Sequence, residues 1–235
     1  MKLFNIFFIV LFASACTVQQ IQQSLDQYLD TDELTTEEVA NGLKEALIKG
    51  ISNGSQEASK VNGFLGNPKI KIPFPPDVQK VEDKLRSIGL DKQVDQFVET
   101  LNRGAEEAAK EARPIFVSAI RSMTIQDAWD ILKGEDNAAT QYLQRTTSSQ
   151  LRSKFKPVIS NALDKTNATK YYGDIINTYN KIPLVDDVDP DLENYATQKA
   201  LDGLFFLIAN EEKKIREDPV ARTTDLLKKV FKAQD

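Results

Sequence analysis

The sequence predicts an all-α protein: a single multi-helix domain with one extended, proline-rich strap near residues 66–77. After residue 35, apolar residues recur every three or four positions, which is the period of a helix with one buried face. Glycines and prolines fall between these runs, where helices end. Only the strap breaks the pattern. Four of its twelve residues are proline, which does not fit a helix interior.

The N-terminus has the pattern of a secretory signal. Met1-Lys2 precedes a short apolar run, and Ala13-Ser14-Ala15 then leads to Cys16, the only cysteine. The run is too short to span a bilayer, which needs about 20 apolar residues as a helix. We interpret residues 1–15 as a lipoprotein signal peptide and Cys16 as the lipidation site. Ordinary cleavage after Ala15, leaving a free thiol, is the alternative.

The same segment predicts a location. An acylated Cys16 would hold the protein on a membrane surface. Thr17 follows the cysteine where an Asp would favour retention at the inner membrane, so the outer membrane is favoured. Residues 16–34 are interpreted as a lipid-anchored tether. We therefore expect a bacterial cell-envelope lipoprotein, with the periplasmic or surface face left open.

Composition excludes several kinds of chemistry. The chain has no histidine, so Ser-His-Asp relays, Cys-His relays and histidine-ligated zinc are impossible. The formal net charge is −5 and no basic block stands out, which argues against a nucleic-acid partner. Disulfides play no part, because the one cysteine is the lipid site. No cofactor and no metal ion is predicted.

The folded domain, residues 35–235, is predicted to begin with a helix. Thr35 and Glu38 fit a capping box, and an apolar face follows from Val39 to Ile51. Asn62-Gly63 ends this helical region.

In the strap, apolar residues alternate with lysine and proline, so three apolar side chains are expected to lie on the helical body. A two-stranded hairpin is the alternative. The three side chains are those of Ile70, Ile72 and Phe74.

Further helices follow in order. The apolar positions and the glycines and prolines between them predict a helix from Val78 to Ile88 that ends at Gly89, and a longer one from Val94 to about Met123 that Pro114 kinks or divides. Next come a helix capped by Thr124 and Asp127 that stops at Gly134, a segment from Asp136 through Leu143, and a helix from Leu151 to Leu163 bent at Pro157. The last three helices are one from Tyr171 to Tyr179, one from Leu192 to Ile208, which is the most apolar, and one after Pro219.

An acidic loop precedes the most apolar helix. Asp187, Asp189 and Asp191 have the spacing of a calcium loop. The sixth and twelfth positions, Leu192 and Gln198, do not fit an EF-hand, which needs Gly and Glu there. A solvated loop with Asp191 as the helix N-cap is the preferred interpretation.

Two polar clusters are candidates for ligand binding. Asn102 and Glu106 lie beside small residues and could point inward as polar residues of a groove. Arg103 and Glu107, four positions apart, could instead form a simple surface ion pair, and this structural interpretation is preferred. Arg216 and Arg222 flank Pro219 and could bind an anion at the start of the last helix, or could lock two helix ends together. No catalytic residue is predicted.

Several segments resemble those of a bacterial family called domain-of-unknown-function family 4197. The resemblance covers about residues 36–233 and implies an exported, helical envelope protein. It brings no known activity, ligand or catalytic residue. The matching segments are Gly42-Leu43-Lys44-Glu45-Ala46-Leu47, Asn62-Gly63-Phe64, Ile70-Lys71-Ile72-Pro73, Asn102-Arg103 with Glu106, Met123-Thr124-Ile125-Gln126-Asp127-Ala128, Ala138-Ala139-Thr140, Ala200-Leu201-Asp202-Gly203-Leu204-Phe205, Ile215-Arg216 and Pro219-Val220-Ala221-Arg222-Thr223-Thr224-Asp225-Leu226-Leu227.

The leading functional hypothesis is a non-enzymatic envelope lipoprotein that binds a ligand or partner protein in a groove between helices. The candidate groups are Arg103, Glu106, Arg216 and Arg222. A carboxylate-dependent hydrolase or lyase, with Glu106 or Glu211 as acid–base, is one alternative, and it needs two carboxylates in one cleft. A purely structural or assembly role is another, and it predicts a large apolar surface patch.

Overall fold

Eight α-helices account for most of the chain between Thr36 and Glu217, and the computed structural model describes residues 35–181 and 187–218. This confirms the all-α fold class, since no strand occurs within these two ranges. In order, the helices are α1 (Thr36–Ser59), α2 (Gln79–Ser87), α3 (Asp91–Ala109), α4 (Ala112–Arg121), α5 (Ile125–Leu132), α6 (Ala138–Asp164), α7 (Ala168–Tyr179) and α8 (Leu192–Glu217), with a 3-10 turn at Pro76–Val78 before α2. The predicted signal peptide, Cys16, the tether, Pro219 and Arg222 lie outside the described residues.

The four longest helices form the core. Helix α8 packs against α1, α3 and α6, and α6 also packs along α3. Burial of the apolar faces of these helices is the main stabilising contribution, at about 25 cal/mol per Å² of apolar surface. The interior is rich in phenylalanine. For example, the rings of Phe116 and Phe205 meet edge to face with centroids 5.7 Å apart.

The smaller helices surround this core. Helices α4 and α5 each contact α1 and α6, and α7 contacts α6 and α8. Helix α2 differs from the others because none of its residues is buried and its main helix contact is with α3. A helix held this way contributes little to the core, so its apolar residues are available to line a surface groove.

Two prolines have different effects on the helices. The predicted helix from Val94 to Met123 is divided into α3 and α4, and Pro114 lies in the first turn of α4, where its missing N–H costs nothing. Pro157 instead lies inside α6. The segments predicted separately before and after residue 150 are one helix of 27 residues, so the expected division between them is wrong.

The strap follows the extended interpretation, not the hairpin. Ile70, Ile72 and Phe74 are buried, whereas Lys69 and Lys71 are exposed. The buried side chain of Asn102 on α3 pairs with the backbone of the strap: its Oδ1 accepts from Ile72 N at 2.8 Å and its Nδ2 donates to Ile72 O at 2.8 Å. One α3 side chain thus supplies both hydrogen bonds that a neighbouring strand would have given.

A second contact fixes the strap against α8. The Tyr195 hydroxyl donates to Pro73 O at 3.2 Å. Gly203, also on α8, lies so close to Phe64 that a Cβ at this position would come within 2.6 Å of the ring. These contacts leave Phe74 fixed at the edge of a surface groove.

Candidate functional site

The first predicted cluster holds the loop that follows α1. Glu106 is buried on α3, and its Oε1 accepts from the backbone N–H groups of Phe64 and Leu65, both at 3.1 Å. Its Oε2 accepts from Arg103 Nη1 at 2.7 Å. Arg103 also donates to Asn62 Oδ1, and Asn62 has a positive φ of 65°. The carboxylate thus satisfies a loop backbone that has no regular hydrogen-bonding partner.

The hydrogen bond that Arg103 donates to Glu106 raises the pKa of the Arg103 guanidinium above its ordinary value, with a smaller contribution from Glu99. Arg103 is about one-third exposed in its side chain, and Glu106 is almost fully covered. Arg103 forms ion pairs with Glu99 and Glu106 rather than with the expected Glu107, which pairs with Lys110. The structure adds the contacts to the loop after α1.

Arg216, one member of the second predicted cluster, pairs with the carboxylate that caps α6. The buried carboxylate of Glu212 on α8 accepts from Ala139 N at 2.9 Å, from Thr140 N at 2.8 Å and from the Thr140 hydroxyl at 2.7 Å. Arg216 donates to the same carboxylate and to Ile131 O. The N-terminus of a helix attracts anions, and here an anion from the chain itself occupies it.

The four predicted binding residues are therefore not seen together. Arg103 and Glu106 lie at the loop after α1, Arg216 lies beside the start of α6, and Arg222 is outside the described residues. Arg103, Glu106 and Arg216 hydrogen-bond to other groups of the chain and so have structural roles. Their binding of a ligand stays a prediction.

A groove not predicted from the sequence lies between α2, α3 and α7. Its volume is about 470 Å³, within the range of about 300–1,000 Å³ that is typical of small-molecule sites. The wall is mostly apolar and aromatic. It is formed by Phe74, Leu85, Leu90, Gln93, Val94, Gln96, Phe97, Thr100, Lys165, Thr166, Ala168, Tyr171, Tyr172 and Ile175.

Three neighbouring aromatic rings connect the strap to α7 along this groove, the first pair tilted at 45° and the second pair stacked at 22°. The ring centroids of Phe74 and Phe97 are 5.0 Å apart, and those of Phe97 and Tyr172 are 6.2 Å apart. Burial raises the pKa of Tyr172 to about 12, and nearby Asp77 adds to this effect. The floor of the groove is therefore neutral and apolar across the physiological range of pH.

The rim of the groove is more polar than its floor. Tyr171 is 60% exposed, and Gln93, Gln96 and Lys165 are also exposed. Among the described residues, Lys165 is the one charged residue of the wall. An apolar floor with a few polar groups at the rim is the usual composition of a small-molecule site.

The sequence could not have revealed this groove. Its lining comes from three helices and the strap, each of which has an ordinary amphipathic pattern. Tyr171 and Tyr172 carried one weak signal, since two adjacent aromatic residues cannot face the same side of a helix. The structure places Tyr172 in the floor and Tyr171 at the rim.

The carboxylates considered for acid–base chemistry have partners. Glu106 is saturated by the hydrogen bonds described above. Glu211 accepts from Lys214 Nζ and from Asn53 Nδ2, and it lies in a separate polar cleft between α1 and α8. Within the described ranges, no group of acidic residues is arranged to hold a metal ion.

The acidic loop before α8 serves its own backbone. Asp191 Oδ1 accepts from Asn194 N at 2.8 Å, which confirms Asp191 as the N-cap of α8. Asp189 Oδ1 accepts from Asp191 N. Two of the three carboxylates thus support the turn into the helix.

The described residues form a helical protein with an apolar groove on its surface. Among the described helices, none combines the length and the apolar character needed to cross a bilayer. The profile of a family described as "Protein of unknown function (DUF4197)" matches residues 33–232, and the chain belongs to this family. This confirms the resemblance found from the sequence. No curated protein and no solved structure matches the chain.

Proposed function

We propose that this protein is a lipid-anchored component of the bacterial cell envelope whose helical domain binds an apolar ligand in the groove between α2, α3 and α7. The single observation that carries the binding proposal is the groove, with its volume of about 470 Å³ and its aromatic floor. The lipidation motif that ends at Cys16 supports the anchor and the compartment.

The chemistry of the groove supports binding rather than catalysis. Among the described residues, its wall contains no carboxylate, cysteine or serine. It does contain threonine and tyrosine hydroxyls and the Lys165 amine, but no carboxylate beside them to complete an acid–base pair. A hydrolase or lyase needs a nucleophile or an acid–base pair next to the substrate. The groove offers contacts with apolar surface, which give affinity without a reaction.

The binding site proposed here differs from the one predicted from polar residues. None of Arg103, Glu106 and Arg216 belongs to the groove wall. They act at a distance from it, because Arg103 and Glu106 hold the loop that leads into the strap. The strap in turn delivers Phe74 to the groove.

Photo-crosslinking in living cells tests the proposal with the full chain in its own compartment. A photoreactive phenylalanine analogue replaces Gln96, which is exposed in the groove wall. The matched control places it at Glu99, which is exposed on the same helix and outside the wall. We expect a discrete adduct of lipid-like mass on the peptide containing residue 96, and no such adduct at residue 99.

Two results would contradict the proposal. Equal labelling at both positions would mean that the analogue reports only general contact with envelope lipids. A protein adduct at residue 96 without any small adduct would mean that the groove is a docking surface for another chain.

A further inference from the structure

The groove has an unequal distribution of charge. Its wall includes one cationic side chain, that of Lys165, and no anionic one. Lys165 follows the last residue of α6 and is exposed. Asp164 precedes it in the chain but does not belong to the wall. The described wall residues therefore place a positive charge at the Lys165 end, whereas Asp77 and Asp189, which are outside the wall, act on Tyr172 in the floor.

The cationic side chain lies at one end of the groove. Gly104 on α3 packs against Ile159 and Ala162 of α6, so these two helices approach each other there. Thr100 is one turn before Gly104 and shares the groove wall with Lys165 and Thr166. The end of α6 thus meets the groove at Thr100.

The opposite end is lined mainly by apolar side chains, with the exposed Gln93 at its rim. From Thr100, the wall follows α3 back through Val94 to Leu90, over about 15 Å at 1.5 Å per residue. Leu85 of α2 joins the wall at that end. The groove therefore runs from a polar, cationic end to an apolar end that two leucines line.

We propose that the ligand is a single-chain anionic amphiphile of the fatty-acid class, with its carboxylate at Lys165 and its tail along α3 toward Leu85 and Leu90. This inference rests on the proposed binding function and names the chemistry of its ligand. Charge complementarity favours an anion, and the length and apolar lining of the groove favour an alkyl chain. The N-terminal end of α7, beside Lys165, adds backbone N–H groups that attract the same charge.

The weak packing of α2 is consistent with this occupant. Leu85 is only partly buried although it lies on the apolar face of α2, and no residue of that helix is buried. An alkyl chain in the groove would cover Leu85 and Leu90 and so give α2 the apolar contact that it lacks. A headgroup without a tail would leave this face exposed.

A competition experiment distinguishes the ligand classes. Full-length protein with Cys16→Ala, in detergent-free buffer, is loaded with the uncharged apolar dye N-phenyl-1-naphthylamine, and displacement by laurate or by dodecanol is measured. Both probes have the same alkyl chain, so a difference in affinity reports the headgroup. We expect laurate to bind more tightly than dodecanol.

Variants of Lys165 assign that difference to one residue. Removing one exposed charge changes an interaction by about 0.2–1 kcal/mol, so Lys165→Gln should weaken laurate binding by up to about fivefold. Lys165→Glu should weaken it further, and neither variant should change dodecanol binding. Lys170→Gln is the matched control, because Lys170 is exposed on α7 but is not in the groove wall.

The outcomes separate this inference from the proposed function. Equal binding of laurate and dodecanol, unchanged by Lys165→Glu, would overturn the anionic ligand and leave an apolar groove intact. Gln96→Trp places a large ring at an exposed position of the wall and should reduce binding of the dye. Dye binding that is unchanged in this variant would show that the groove is not the site, and both proposals would fail.

Discussion

Buried polar side chains connect the irregular parts of this chain to its helices. Asn102 pairs with the strap, Glu106 with the loop after α1, and Glu212 with the first turn of α6. Each satisfies backbone groups that have no partner in a helix or sheet, and such groups are costly when they are left unpaired and buried. These three side chains therefore stabilise the fold.

The role of Glu212 can be measured with a single substitution. Glu212→Gln keeps the shape of the side chain but removes its charge and turns one acceptor into a donor that faces Thr140 N–H. We expect the free energy of unfolding to fall by about 3 kcal/mol, since breaking a buried charged pair is strongly destabilising. Denaturant-induced unfolding of the full chain measures the change.

Glu217→Gln is the matched control, because it makes the same substitution in the same helix. Glu217 is exposed and pairs with Lys213 at 3.6 Å, so its loss should change the stability by less than about 1 kcal/mol. Equal effects of the two substitutions would contradict the capping role of Glu212.

At the scale of residues, the sequence indicated which polar side chains are buried, but not which backbone groups they contact. The small residues around Asn102 and Glu106 suggested that polar groups on α3 could face inward, and both are buried. Their partners, Ile72 and Phe64, lie 30 and 42 positions earlier, in the strap and in a loop. No local pattern links such positions, so the contacts could not be predicted.

At the scale of single helices, the residues at each end determine where the helix begins and stops. Thr124 caps α5 as predicted: its hydroxyl accepts from Asp127 N at 3.1 Å, and Asp127 Oδ2 accepts from Thr124 N at 2.9 Å. Gly89 follows the C-cap of α2 and has a φ of 87°, the left-handed conformation that glycine commonly adopts after a helix end. The continuity of α6 was not predictable, since its exposed polar middle lacks a clear apolar face.

The capping box of α5 also predicts a dependence on pH. The Thr124 hydroxyl, followed by the Thr124 backbone N–H, lowers the pKa of Asp127 by stabilising its charged form. This contribution is present above the ordinary pKa of about 3.9 and is lost as the pH falls through the lower value of the folded state. Thr124→Ala should cost about 1 kcal/mol at pH 7 and less at pH 3.

Unfolding by denaturant at both pH values checks this prediction. Thr178→Ala is the control, because the Thr178 hydroxyl donates to a backbone oxygen of α7 rather than to a carboxylate. Its effect should be the same at both pH values. If Thr124→Ala lost the same stability at both pH values, the contact with Thr124 would not be what lowers the pKa of Asp127.

For the whole molecule, the sequence predicted the helices and the strap but not the spaces between them. The all-α class follows from periodicity, and the strap follows from its prolines. The groove depends on how far α2 stands from the core. The wall combines residues of α2, α3, α7 and the strap, and no single segment encodes such a combination.

The proposed anchor makes the largest claim about the whole molecule, and one substitution tests it. A chain acylated at Cys16 gains about 0.8 kcal/mol for each buried CH₂, so several acyl chains together hold it stably on a membrane. We expect the full-length protein to incorporate an alkyne-tagged fatty acid in bacterial cells and to sediment with membranes. Cys16→Ser should abolish the label, and Ser14→Ala, which keeps a small residue before the cysteine, should retain it. Ordinary cleavage after Ala15 would instead give a soluble, unlabelled protein with a free thiol, and the groove would then meet its ligand away from the membrane.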